Sequence, residues 1–339
     1  MTDARLDRAW EIWAAENLLR GKRPSAIVAR LVSEGVPEAQ ATLLIDALAR
    51  SAVYEAATRV ARDARRWTAI AALHERLTRD AAHPTQVLRT SGVDAAHFYD
   101  LFYATGTPVV LDALVADAFD MRQWSPGGLA ARFGDVEVEV TVDREDEADY
   151  ARTFRRRSRT MSLTALVEHI EASANAPRND VYLVAENRFF ERPPLDALLG
   201  EIRFPPGWLD EERLRADGAS LWLGGAGTRT PLHHDHANLL ACQLYGRKRW
   251  RLIAPTERAL LAKVERPFST LDASELGDVV VKDVIVHAGE ALFVPAGWWH
   301  QVESLVPSTT ISITAFARDN EFALLDLTRV ERESHEDME

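Results

Sequence analysis

Three of the ten histidines in this chain fall within four positions, at His233, His234 and His236, with Asp235 between the last two. In an extended segment, alternate side chains point to the same face. We therefore expect His233 and Asp235 to share one face of a strand and His234 to point away from it. An imidazole and a carboxylate on one face are two of the three ligands in a metal site of two histidines and one carboxylate, the type that holds non-haem Fe(II). The fold must then bring a third ligand to this face.

The third ligand is expected from a distant segment, and His300 is the best candidate. An apolar run ends at Pro295, turns through Ala296 and Gly297, and is followed by a second run that begins close to His300. A Pro-x-Gly turn between two such runs is a hairpin signal, because proline presets φ and glycine tolerates a positive φ. Ligands on short strands far apart in sequence are typical of a jelly roll, whose open mouth can hold a metal.

Three motifs follow one another in the second half of the chain. They are the segments 227–235, 243–248 and 289–300. In this order and at these spacings they resemble the JmjC/cupin-8 family of 2-oxoglutarate-dependent dioxygenases, and within it hydroxylases such as the HIF asparaginyl hydroxylase. The resemblance covers about residues 98–322. It implies a mostly β catalytic domain, a cupin-like double-stranded β-helix or jelly roll.

The resemblance implies that Fe(II) is held by His233, Asp235 and His300, and that 2-oxoglutarate and O2 take the remaining positions. It further implies hydroxylation of a substrate with release of succinate and CO2. The carboxylate ligand is an aspartate, whereas many lysine demethylases of the family use glutamate, and this favours hydroxylation over demethylation. The substrate is expected to be a side chain of a protein or peptide, an amino acid or another small molecule.

The resemblance also assigns co-substrate residues. Lys248 matches the family's lysine for the distal carboxylate of 2-oxoglutarate, Thr230 and Tyr182 match its hydroxyl partners, and Asn238 matches a polar position beside the co-substrate. A lysine ammonium beside two hydroxyls suits a carboxylate, because a charge-assisted hydrogen bond is roughly twice as strong as a neutral one. The chain departs from the pattern at Ala315, where relatives carry an asparagine near the 1-carboxylate.

The residues alone leave two other functions possible. A non-catalytic cupin-like binding protein would not need an intact ligand triad together with Lys248. A zinc or manganese cupin enzyme that does not use 2-oxoglutarate would not need Lys248, Thr230 and Tyr182 as a set. Release of succinate from 2-oxoglutarate in the presence of iron and O2 separates these alternatives from the oxygenase.

Residues 1–88 have helical periodicity and predict an N-terminal all-α domain in front of the β domain at residues 89–330. From Val53 to Ala71, apolar positions alternate steps of four and three, which is the heptad pattern of a helix-packing seam. A bundle docked on the catalytic domain, a homodimer contact and a substrate-capturing arm are the alternatives for this region. The charge-rich run at residues 143–149 predicts a solvated loop, with a rim that closes over the substrate as the alternative. The acidic residues 331–339 predict a disordered tail.

Composition narrows the range of partners and locations. The net charge of −12 and the pI of about 5.4 argue against a nucleic-acid-binding surface, which is usually basic. No apolar run approaches the roughly 20 residues of a membrane span. The single cysteine, Cys242, excludes an internal disulfide and fits a reducing cytoplasm, which is the expected location.

Overall fold

The computed structural model describes residues 8–144, 157–257, 260, 272–320 and 322. The chain divides into two compact units, residues 1–76 and 77–339. The acidic tail predicted at residues 331–339 and most of the charge-rich run predicted at residues 143–149 lie outside the described residues.

The first unit is helical, which confirms the all-α prediction for the N-terminal region. Its helices are α1 (Arg8–Leu19), α2 (Pro24–Ser33), α3 (Glu38–Ala49) and α4 (Ala52–Arg79), the last of which continues into the second unit. Gly35 follows α2 with φ of 91°, a left-handed conformation that glycine adopts at low cost where a helix ends. The helices enclose a small apolar core of Ala14, Leu18, Ile27, Leu31, Val36, Ala41 and Ile45.

The long helix α4 carries apolar side chains that remain in solvent. Val53, Val60 and Trp67, which are seven residues apart, are 78%, 71% and 70% exposed. Burying an apolar side chain of this size contributes about 1.5–3 kcal/mol, so leaving such a stripe exposed is unusual for a monomer's surface. We call these three residues the α4 stripe.

The second unit is built around two β-sheets. Its strands are β1 (Leu88–Ser91), β2 (Val109–Asp112), β3 (Glu137–Thr141), β4 (Ser158–Ser162), β5 (Tyr182–Leu183), β6 (Ala219–Gly224), β7 (Arg229–His233), β8 (Leu239–Tyr245), β9 (Arg247–Ile253), β10 (Lys282–His287), β11 (Ala291–Val294), β12 (Trp299–Ser304) and β13 (Ser308–Ile313). The large sheet has the order β1-β2-β11-β8-β13-β6-β5-β3-β4, and the small sheet has the order β10-β9-β12-β7. This architecture confirms the predicted jelly roll.

Helices cover the outer face of the large sheet. They are α5 (Ala95–Phe98), α6 (Leu114–Ala118), α7 (Pro126–Phe133), α8 (Leu163–Ala172) and α9 (Glu211–Ala216), with a π-helix at Tyr99–Tyr103 and shorter 3-10 turns at Ser173–Asn175, Ala185–Asn187, Phe189–Glu191 and Leu195–Glu201. A further 3-10 turn, Ala273–Glu275, packs against the small sheet. Among the described residues, none of these helices combines the length and apolarity needed to cross a bilayer.

Strand β8 shows how the two faces of the large sheet are used. Leu240 and Cys242 join the core cluster that includes Phe98 and other helical residues. Leu239 and Ala241, which point the other way, join the cluster shared with the small sheet. Because side chains alternate along a strand, β8 is apolar on both faces and is buried almost along its whole length. The interior between the two sheets is where the candidate site lies.

Candidate metal and co-substrate site

The pairing of two strands brings two distant histidines together. In the small sheet β12 is antiparallel to β7, and His300 lies directly opposite His233. Their ring centroids are 4.1 Å apart. Asp235 completes the group, with Oδ1 4.0 Å from His233 Nε2 and Oδ2 3.7 Å from His300 Nε2. One donor atom from each of the three residues lies within 4.8 Å of the others, which is a span that a single metal ion can bridge.

Both histidines are held in the tautomer that a metal ligand needs. Nδ1 of His233 lies 2.8 Å from the carbonyl oxygen of Pro231, and Nδ1 of His300 lies 3.0 Å from that of Trp298. Each Nδ1 therefore donates its proton to a carbonyl and leaves the Nε2 lone pair directed towards Asp235, as is typical of metal-binding histidines. Burial, reinforced by the neighbouring His233, lowers the pKa of His300 to about 4, so the imidazole is neutral at physiological pH. The donor set fits a divalent ion of the Fe(II) type.

Asp235 reaches the cluster by a different route from the one that the sequence suggested. Strand β7 ends at His233, so strand alternation does not position Asp235, which lies in the connection to β8. His234 is outside the ligand cluster, and its ring packs edge-on against Trp299 at 4.6 Å. It nevertheless lines the adjacent cavity together with His236. His234 is therefore separate from the ligand cluster, as predicted, but it still lines the cavity.

A cavity of about 460 Å³ joins the ligand cluster to the predicted co-substrate residues Tyr182, Thr230 and Lys248. Its wall also contains two tryptophans, Trp222 and Trp250, and small or apolar side chains. The other lining residues are Ala185, Glu186, Ser220, His234, His236, Ala237, Leu239, Ala241, Val302, Thr310, Ser312 and Thr314. One cavity thus contains both a candidate metal site and a candidate carboxylate site.

Lys248 supplies a buried cation to this cavity. Burial alternates along β9, so Lys248 and Trp250 face inward while Arg249 lies on the outer side, paired with Asp283. The Lys248 side chain is 2% exposed and donates a hydrogen bond of 2.9 Å from Nζ to the hydroxyl of Tyr182. Burial lowers the pKa of Lys248 to about 7. Burial likewise raises the pKa of Tyr182 to about 12, so Tyr182 remains a neutral hydroxyl.

Arg144 is a buried cation beside Tyr182 that the sequence did not indicate. It belongs to the charge-rich run that predicted a solvated loop, yet it is 2% exposed. Its guanidinium lies 5.1 Å from the ring centroid of Tyr182 and donates a hydrogen bond of 2.5 Å to the carbonyl oxygen of Arg229. The solvated-loop prediction was therefore wrong for this residue, because the ring of Tyr182 and a backbone carbonyl replace water around its charge.

Two further predicted positions lie apart from the cavity wall. Asn238 is buried, but its Oδ1 accepts a hydrogen bond of 2.9 Å from the backbone N–H of Ala296, and it is not among the lining residues. Ala315, the position at which the family asparagine is replaced, accepts a hydrogen bond of 2.9 Å from Asp210 through its carbonyl. The residue of this segment that lines the cavity is Thr314.

Comparison with known proteins gives matches over the same part of the chain. A family model described as "Cupin-like domain" matches residues 95–318. The chain is 28% identical over 246 residues to "Lysine-specific demethylase JMJ30" of Arabidopsis thaliana, which covers 67% of this chain and 54% of that protein. It is 31% identical to "Jumonji C domain-containing protein 5" of Drosophila melanogaster over 41% of this chain and 37% of that protein. It is 34% identical to human "HSPB1-associated protein 1" over 29% of this chain and 23% of that protein. The chain thus spans about half the length of the first of these relatives and less of the other two.

Proposed function

The chain belongs to the cupin-like family of JmjC-type proteins, and on this premise we propose that it is an Fe(II)- and 2-oxoglutarate-dependent oxygenase. The observation that carries the proposal is the cavity in which a cluster of two histidines and an aspartate shares one wall with a buried lysine. A metal site alone would suit many cupins. A buried ammonium beside the Tyr182 hydroxyl, within the same cavity, supports a second ligand that carries a carboxylate.

Each site residue has a defined task in this proposal. His233, Asp235 and His300 would hold Fe(II), while Lys248, with Tyr182 and Thr230 beside it, would bind the distal carboxylate of 2-oxoglutarate. When bound, these groups would supply an oxidation in which O2 gives one oxygen atom to the substrate and one to the succinate that forms as 2-oxoglutarate loses CO2. The apolar wall around Trp222 and Trp250 would limit the access of water.

For the substrate, we propose a protein or peptide side chain that becomes hydroxylated. Demethylation of a lysine side chain is the second candidate. One relative is named a lysine-specific demethylase, and Glu186, an exposed carboxylate in the cavity wall, suits a cationic side chain. Both reactions begin with the oxidation of a C–H bond, so they make the same demands on the metal and co-substrate residues.

The test is turnover of 2-oxoglutarate by the full chain with Fe(II) and O2. We expect succinate from the parent and none above background from His233→Ala, because removing one ligand breaks the triad. A peptide screen by mass spectrometry would identify the product, with a gain of one oxygen for hydroxylation and a loss of a methyl group for demethylation. A parent that binds a metal but neither binds nor consumes 2-oxoglutarate would instead be a cupin of another class.

We also propose that the α4 stripe is a contact between two copies of the chain. The stripe exposes Val53, Val60 and Trp67 at heptad spacing on a helix of 28 residues. Heptad-spaced apolar side chains on a long helix are typical of helix–helix association. The mass of a Trp67→Glu variant in solution tests this contact.

A further inference from the structure

The connection between β7 and β8, residues 234–238, carries the carboxylate ligand but contains no strand. The side chain of Asp235 is 44% exposed, so packing does not hold it in place. The connection that carries it is held by hydrogen bonds of its backbone and of the Asn238 side chain. These bonds lead to two other segments, the turn before β12 and the residues after β13.

The turn before β12 is bonded to the connection at two points. Gly297 donates a backbone hydrogen bond of 2.9 Å to the carbonyl oxygen of Asp235. Ala296 donates one of 2.9 Å to Oδ1 of Asn238. The same turn leads through Trp298, whose carbonyl orients His300, into the strand that carries this ligand. The segments that hold Asp235 and His300 are thus joined to each other directly.

Asn320 fixes the other side of the connection. Its Oδ1 accepts a hydrogen bond of 2.9 Å from the backbone N–H of Asn238, and its Nδ2 donates one of 2.9 Å to the carbonyl oxygen of the same residue. Nδ2 also donates to the carbonyl oxygen of Thr314 at 2.8 Å, and Oδ1 accepts from the hydroxyl of Tyr103 at 3.1 Å. Asn320 is 6% exposed and both of its amide hydrogens are engaged. A buried amide with its hydrogen bonds satisfied in this way permits little movement of its partner.

We propose that Asn320, acting through Asn238, is a positioning residue that holds the Asp235 carboxylate in place for the metal. This inference rests on the proposed function. Asn238 then serves the metal-binding connection, with its backbone bonded to Asn320 and its side chain bonded to Ala296, and does not contact the co-substrate. The arrangement ties the connection to the end of the last strand of the large sheet and to the turn before His300.

The test compares metal binding by the full chain and by two buried-amide variants. The probe is Co(II), titrated into the metal-free protein and followed by its visible absorption, which reports both affinity and ligand geometry. Asn320→Ala should weaken Co(II) binding by about 10–100-fold, the range typical when a group that orients a metal ligand is removed. It should also alter the band shape, because Asp235 becomes free to move.

The matched control is Gln243→Ala. Gln243 is fully buried in β8, and its amide donates to the carbonyl oxygens of Tyr245 and Thr309. Gln243→Ala therefore removes a buried amide that is bonded to backbone carbonyls, as Asn320→Ala does. In the part of the chain that the structure describes, the side chain of Gln243 forms hydrogen bonds with Tyr245, Thr309 and Thr310, which all lie outside residues 234–238 and outside the turn before β12. We expect both variants to lower the melting temperature, but only Asn320→Ala to weaken Co(II) binding and change its spectrum.

A milder variant covers the case in which Asn320→Ala does not fold. Asn320→Asp keeps an oxygen that can accept from the backbone N–H of Asn238 but loses the two hydrogen bonds that Nδ2 donates, so it should weaken Co(II) binding less than Asn320→Ala would. Parental affinity in Asn320→Ala, or in Asn320→Asp if Asn320→Ala does not fold, would overturn the inference. Equal weakening in Gln243→Ala would overturn it as well. A parent that binds neither Co(II) nor Fe(II) would contradict the proposed function itself.

Discussion

At the scale of single residues, the charge of Lys248 is expected to depend on whether an anion is bound beside it. Burial lowers its pKa from 10.5 to about 7, so near neutral pH the side chain is divided between its charged and neutral forms. An anion bound beside it would favour the charged form and raise the pKa again. Binding of a carboxylate and protonation of Lys248 are therefore coupled.

The first prediction is that Lys248→Ala selectively weakens binding of 2-oxoglutarate. Truncating one partner of a buried charge pair costs about 2–5 kcal/mol, because the other charge remains buried without its partner. This corresponds to a loss of affinity of about 30-fold to several thousandfold. Titration of 2-oxoglutarate into the anaerobic Fe(II) protein, followed by the charge-transfer band, measures it. Iron binding should not change, and Lys248→Arg should restore affinity only in part.

The second prediction concerns pH. Below the pKa of about 7, Lys248 is already charged and binding of 2-oxoglutarate should not depend on its titration. Above that value the empty protein must take up a proton to bind, so affinity should fall by up to about tenfold per pH unit until the pKa of the complex is reached. Calorimetry at pH 8 in two buffers with different ionisation enthalpies counts the protons. Lys248→Arg, which stays charged, is the control, and a parent that takes up no proton at pH 8 would contradict the coupling.

The third prediction separates the adjacent histidines. His233→Ala should abolish binding of Fe(II), because Nε2 of His233 faces Asp235. His234→Ala should bind iron as the parent does, because His234 lies outside the ligand cluster. Equilibrium dialysis of both variants measures this, and circular dichroism checks that each is folded. Loss of iron from His234→Ala alone would show that the assignment is reversed.

At the scale of elements, the metal site depends on where strands end. The alternation rule correctly grouped His233 with Asp235, but the structural reason is different, since β7 ends at His233 and a connection carries the aspartate. The rule succeeded for β9, where alternation continues through Lys248 and Trp250. Sequence patterns describe a regular strand well, whereas the residue at which it stops depends on its neighbours in the sheet.

The fourth prediction tests the α4 stripe as a dimer contact. Trp67→Glu adds a charge to the stripe and should convert a dimer to a monomer, because the charge would be desolvated in the contact. Leu43→Glu is the matched control, since Leu43 is also 70% exposed but lies on α3. Light scattering after gel filtration measures the mass of each. A monomeric parent, or a Trp67→Glu variant with an unchanged dimer mass, would show that the α4 stripe is not a dimer contact.

At the scale of the whole molecule, the sequence predicted the jelly roll, the helical N-terminal region and the three residues that the structure clusters. It did not predict the burial of Arg144 beside Tyr182 or the contact between Asn320 and Asn238. These depend on partners far along the chain, and the two asparagines are 82 positions apart in sequence. An isolated asparagine has no periodic pattern, and a charge-rich run does not reveal which arginine becomes buried.

The fifth prediction is that ligands stabilise one part of the chain selectively. Among the described residues, the core of the helices α1–α3 shares no residue with the cores around the two sheets, so we expect two thermal transitions in calorimetry. Fe(II) and 2-oxoglutarate bind the second unit in the proposed function, and a ligand at a hundred times its Kd contributes about 2.7 kcal/mol. Only one transition should therefore move to higher temperature under anaerobic conditions. A single transition, or an equal shift of both, would contradict this expectation.

The position of β13 determines when the large sheet can form relative to the synthesis of the three clustered residues. All three clustered residues have left the ribosome once His300 has emerged, yet β13 lies between β8 and β6 in the large sheet and is made later. Until it docks, β8 and β6 each present an unpaired edge, and Asn320 follows later still. A nascent chain therefore carries every candidate ligand before the large sheet is complete. Loading with metal should follow the docking of β13, and chains truncated before β13 should be substrates for chaperones and proteases.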